Sequence, residues 1–134
     1  MRGTRIEVVP DILMNLADAN NRLGKLDIGA AWYRRALLMC DSLHMASTKK
    51  PPIYYGLAQV YVTMRDFEQC DYYYNLAGES YDNMLPYEKY IYLNNRGTSY
   101  YYREDYQTAI KYFQKVIDLV EGYDDMSFEL NLGR

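Results

Sequence analysis

Side-chain catalysis needs a nucleophile, a base or a metal ion held within a few ångströms of its partners. The sequence offers few groups of that kind. Its cysteines are Cys40 and Cys70, and its one histidine is His44. A zinc site using all three would still lack a fourth ligand. Neither cysteine belongs to a CxxC pair, so both are expected to be buried, unpaired thiols in a reducing cytosol. His44 follows the end of an expected helix and reads as a surface residue. Glu121, Asp124 and Asp125 cluster acids without the spacing of an EF-hand loop, which marks a solvated turn. No GxSxG, GxGxxG, P-loop or HExxH pattern occurs. The reading is a non-enzyme that needs no cofactor and no metal.

The elements that carry these residues follow from composition and periodicity. The 134 residues suit one modest domain, with 49% apolar and 25% charged residues. These proportions exclude a disordered or low-complexity chain. No apolar run is long enough to cross a membrane, and Met1-Arg2-Gly3-Thr4-Arg5 leads into no signal-peptide core. A net charge of −3 argues against nucleic acid as a partner. The composition departs from the ordinary in its seventeen tyrosines, set against three phenylalanines and one tryptophan. Tyrosine combines apolar area with a polar tip, which suits half-buried and binding surfaces. Most of them are expected to stand in for core Phe and Leu.

Three segments share one pattern of offsets. The first holds Leu13, Leu16 and Ala17, then Gly29, Tyr33 and Ala36. The second holds Tyr54, Leu57, Ala58 and Tyr61, then Cys70, Tyr74 and Ala77. The third holds Leu93, Gly97 and Tyr100, then Ala109, Phe113 and Val116. Spacings of three and four are helical, and the small residues mark where two helices approach closely. A short break divides each segment, with Asp66 and Asp105 as expected N-caps of the helix that follows. Pro10, Pro51, Pro52 and Pro86 suit first turns. Each segment therefore reads as a helical hairpin. Ala30 lies off the stripe, and Trp32, one residue from its stripe, is expected to pack against the neighbouring repeat.

This pattern resembles the tetratricopeptide repeat, whose signature is W-x2-L-G-x2-Y, then A-x3-F, over about 34 residues. Leu93 to Tyr100 followed by Ala109 to Phe113 matches best. In the second repeat Cys70 takes the small position, and in the first Asn20 stands where Tyr is usual. Arg96 replaces an apolar residue. The period is roughly 40 residues, because the second helices run on, to Cys40 and Leu43, to Tyr81 and Met84, and to Val120 and Tyr123. Gly122 is expected to stop the last one. The resemblance implies an all-α, right-handed solenoid of three hairpins over residues 10–46, 51–85 and 86–122. A partial fourth helix is expected over 125–134, in a chain cut from a longer protein.

The family resemblance also implies what such a fold does. First helices of these repeats line a concave groove that takes peptides or proteins. The groove positions hold Met14, Asp18, Asn21 and Arg22, then Tyr55, Gln59, Val62 and Thr63, then Asn94, Thr98, Tyr101 and Tyr102. A subset of the family clamps terminal carboxylates with cations. The corresponding residues here, Met14, Asp18, Gly56, Ile91 and Asn95, include no cation, so that mode is not expected. The groove is instead neutral, amide-rich and aromatic, forming one strip across neighbouring helices whose binding is insensitive to salt. Similarly long repeats occur in bacterial regulators, beside a cyclase or DNA-binding output domain. A sensory module of that kind, or a homodimer joined through exposed solenoid ends, is the alternative reading.

Overall fold

The computed structural model describes residues 8–45 and 49–123. The expected fourth-repeat segment 125–134 and the acidic pair Asp124–Asp125 lie outside them. Among the described residues there are six α-helices and no strand: α1 (Val9–Arg22), α2 (Leu26–Ser42), α3 (Pro51–Thr63), α4 (Phe67–Gly78), α5 (Pro86–Tyr102) and α6 (Tyr106–Tyr123), with a 3₁₀ turn at Tyr81–Asn83. Successive helices pair as hairpins, as expected. Pro10, Pro51, Pro52 and Pro86 sit in first turns, where their missing N–H groups cost nothing. The chain divides into two compact units, Met1–Ala77 and Gly78–Arg134.

The turns inside the three hairpins are built alike. Each first helix ends on a residue in the left-handed region: Gly24 (φ 83°), Arg65 (φ 64°) and Glu104 (φ 64°). The N–H of that residue reaches back to Asn21, Val62 or Tyr101, at 2.9, 3.1 and 3.0 Å. The next N–H reaches Asn20, Tyr61 or Tyr100, at 2.9, 2.8 and 3.0 Å. This is the Schellman closure of a helix. In the second and third hairpins the next residue is an aspartate that caps the following helix. Asp66 Oδ1 accepts from the Gln69 N–H at 3.2 Å, and Asp105 Oδ1 from the Thr108 N–H at 3.3 Å. One residue thus closes one helix and opens the next. His44 (φ 51°) ends α2 in the same manner and is exposed.

In the first unit α2 packs between α1 and α3. Ala17, Ala30, Tyr33, Ala36, Cys40, Ile53, Leu57 and Val60 form its core. Each large apolar side chain removed from water contributes about 1.5–3 kcal/mol. Trp32 packs against this core, with the Arg35 guanidinium 5.9 Å from its ring centre. Cys40 and Cys70 are buried and unbonded, in line with expectation. In the second unit α5 and α6 face each other across Gly97. A Cβ there would lie 2.7 Å from Phe113 Cε1 and 3.1 Å from Tyr112 Cβ. Arg96, the departure from the signature, lies over the rings of Tyr112 (5.6 Å) and Tyr92 (6.0 Å) and donates to the Tyr92 hydroxyl at 2.6 Å. The cation takes the apolar position because aromatic faces receive it.

Four expectations need correction. Ala30 is only 2% exposed. With neighbours on two sides, α2 buries an arc wide enough to take in both Gly29 and Ala30. The α4 helix does not run on to Tyr81 and Met84 but ends at Gly78, where the Tyr92 hydroxyl occupies the place of a side chain. Gly122 does not stop α6, which continues through it to Tyr123. Finally, the tyrosines do not mainly replace Phe and Leu in the core. Tyr33, Tyr74 and Tyr92 are buried, but most of the others are half-buried and lean on one another. Tyr61 stacks on Tyr73 at 5.9 Å, Tyr54 tilts against Tyr73 at 6.2 Å, and Tyr100 stacks on Tyr112 at 5.5 Å. Ring-on-ring packing of this kind tolerates a hydroxyl at the rim, where Phe would waste exposed area.

Candidate functional site

The residues expected to line a groove fall on α1 and α3 in the first unit and on α5 in the second. On α1, Asp18 and Arg22 are exposed and form an ion pair one turn apart, Oδ2 to Nε 2.9 Å. That hydrogen bond holds the Arg22 guanidinium still more firmly protonated than usual. Met14 packs against the core rather than standing clear of it. Asn21 turns its Oδ1 inward against the backbone of Gly29, so that oxygen is buried between α1 and α2. Of the four α1 positions, Asp18 and Arg22 are thus the ones offered outward.

On α3, Gln59 and Thr63 are exposed. The Thr63 hydroxyl donates to the Gln59 main-chain carbonyl at 2.9 Å and accepts from Gln59 Nε2 at 3.5 Å. Tyr55 is half-buried, its ring 6.0 Å from that of Tyr74. Val62 is 4% exposed and belongs to the core, contrary to its expected place in the groove. It was misplaced for the same reason as Ala30: α3 lies between two packed neighbours.

On α5, Asn94, Tyr101 and Tyr102 are exposed and Thr98 is half-buried. The Thr98 hydroxyl donates to the Asn94 main-chain carbonyl at 2.8 Å, and the side-chain amide of the exposed Asn94 adds a donor and an acceptor to this face. Tyr101 sits edge-on to Tyr102 at 5.8 Å and to Tyr106 at 5.5 Å. All three rings remain more than half exposed. Tyr106, the first residue of α6, completes this cluster and was missed in the sequence, because groove positions were sought on first helices alone. The three-residue turn from Tyr102 to Tyr106 brings it alongside. The cluster has edge-to-face geometry, stiff side chains and three hydroxyls at its rim. Chemically it can bury apolar groups and bond to backbone amides.

Among the described residues no group of three or more His, Cys, Asp or Glu is placed to hold a metal ion. No helix among them is long and apolar enough to cross a membrane.

Residues 90–123 match the family model of the tetratricopeptide repeat. The match begins within α5 and ends with α6, so it covers the hairpin that carries the Tyr101–Tyr102–Tyr106 cluster. No curated protein and no solved structure matches the chain. Repeats of this family generally mediate protein–protein interaction and act as scaffolds rather than catalysts. Residues 90–123, the third hairpin, are similar to a tetratricopeptide repeat.

Proposed function

We propose that the chain is a non-catalytic scaffold that binds a protein or peptide on the outward faces of its first helices. The observation that carries this reading is the tyrosine cluster at the end of α5. A monomer gains little by holding three rings in contact with one another and yet more than half in water. A partner would cover them at low entropic cost, since each ring has only two free torsions. Asn94, one or two turns away, supplies an amide that can bond any peptide backbone. Asp18 and Arg22, Tyr55 and Gln59 form the corresponding faces in the first unit, with Met14 and Asn21 behind them.

None of Tyr55, Gln59, Asn94, Thr98, Tyr101 and Tyr102 carries a charge, and Arg22 is already paired with Asp18. Binding would then rest on hydrogen bonds and aromatic burial, with little for salt to screen. Peptides selected by phage display on the full chain provide the probe, and calorimetry the affinity. Tyr101→Ala should cost about 2 kcal/mol or more as a hot-spot anchor. Asn94→Ala should cost about 1–3 kcal/mol if its amide meets a buried backbone group. Affinity that collapses between low and moderate salt would refute this reading and point to a charged outer face.

A further inference from the structure

The groove of the first unit has a floor that comes from a second helix. α1 and α3 touch each other beside α2, and Tyr33 reaches up from α2 to the inner flank of α3. Its hydroxyl lies 2.7 Å from where a Cβ on Gly56 would stand, and its ring fills the same space. A residue with a side chain at position 56 would push that ring aside. Tyr33 is only 6% exposed. Gly56 is half-buried and Gln59, one turn further along α3, is exposed. The phenol tip therefore lies just beneath the surface that α3 turns outward. The charges of Asp18 and Arg22, both exposed on α1, reach the same tip. Burial first and then the Asp18 carboxylate hold the phenol protonated above its ordinary 10.0, while Arg22 acts in the opposite sense.

The hydroxyl is thus a donor at neutral pH, yet among the described residues it donates to none. Buried polar groups ordinarily have a partner. We propose that the Tyr33 hydroxyl is a ligand-binding group, donating to a main-chain carbonyl of an extended peptide laid between α1 and α3. This rests on the peptide-binding reading and adds to it a contact that no first helix supplies. The surrounding charge selects a neutral acceptor. Arg22 is paired with Asp18 at 2.9 Å, so its attraction for a ligand carboxylate is offset by the acid beside it. A ligand cation would be drawn to Asp18 but has no acceptor to offer the phenol proton. A peptide carbonyl is uncharged and accepts. The Gln59 carboxamide, with both a donor and an acceptor, can bond a neighbouring amide of the same strand. A search for groove positions on first helices alone passes over Tyr33, because its place in the stripe marks it as core.

Tyr33→Phe keeps the ring beside Gly56 and removes only the hydroxyl. Calorimetry with a phage-selected peptide and the full chain should show affinity about five- to tenfold weaker than for the wild type. The melting temperature of the free protein should not fall, because no bond within the chain is lost. Peptides in which one amide at a time is replaced by an ester, a weaker acceptor, identify the carbonyl. One ester should weaken binding to the wild type and make a smaller difference with Tyr33→Phe, as coupled partners do. Three results would overturn the inference: equal affinity of the variant and the wild type, no ester position coupled to Tyr33, or a lower melting temperature, which would show a partner inside the chain. Equal affinity together with a loss in Tyr101→Ala would leave the scaffold reading standing. Failure to select any peptide that binds would overturn both.

Discussion

Gly97 lacks a side chain where Phe113 and Tyr112 fill the space that one would need. The Tyr112 Cβ is anchored to its backbone and cannot swing aside, so Gly97→Ala forces the two helices apart. It should lower stability by about 1–3 kcal/mol in thermal or denaturant unfolding. Ala58, 0% exposed, should respond to Leu in the same way. Ala30→Leu belongs with them, because Ala30 is buried too; an unchanged melting temperature for that variant would contradict the packing of α2. At this scale the small-residue positions were legible in the sequence. Ala17, Ala58, Gly97, Cys70 and Ala109 all lie in the core. Ala30 and Val62 were not, since the width of a helix's buried arc depends on how many neighbours it has, and periodicity reports only the centre of that arc.

The hairpin turns show a different balance at the scale of elements. Asp66 and Asp105 were legible as caps because an acidic side chain before a helical stripe has few other uses. Replacing either with Ala should cost about 1 kcal/mol. The left-handed residues before them were not legible. Gly24 signals its conformation, but Arg65 and Glu104 adopt the same geometry without any sign in their chemistry. Each bears the steric cost that glycine avoids. Arg65→Gly and Glu104→Gly should therefore raise stability by about 0.5–1 kcal/mol, net of the entropy that glycine adds to the unfolded chain. A lower melting temperature for Arg65→Gly alone would show that the Arg65 contact with the Phe67 ring (4.9 Å) outweighs the strain there, and a lower one in both variants would contradict the strain. The end of α4 at Gly78 was also hidden. The stripe runs on in the sequence, but Tyr92, distant along the chain, fills the site.

For the molecule as a whole, burial gives a pH dependence with a definite sign. Desolvation raises the Cys40 thiol above its ordinary 9.0, and the Tyr33 and Tyr73 phenols above their ordinary 10.0, with the neighbouring Tyr61 adding to the shift at Tyr73. Each group holds its proton more tightly in the folded chain than in the unfolded one. Below about pH 8 both states are protonated and the three groups leave stability unchanged. As pH rises past about 9 the unfolded chain ionises first, so stability falls until the folded groups ionise as well. The melting temperature should be level from neutral pH to about pH 8 and then decline. A rise in that alkaline range would contradict the burial of these groups.

Chemical-shift mapping of the 15N-labelled full chain, titrated with a phage-selected peptide at low and at moderate salt, tests the binding role most directly. The largest amide shifts should gather at Asn94, Thr98, Tyr101, Tyr102 and Tyr106, with a second set around Tyr55 and Gln59, and the affinity should be nearly the same at both salt concentrations. Shifts confined to a charged outer surface, such as that around Lys49 and Lys50, together with binding that salt abolishes, would contradict it.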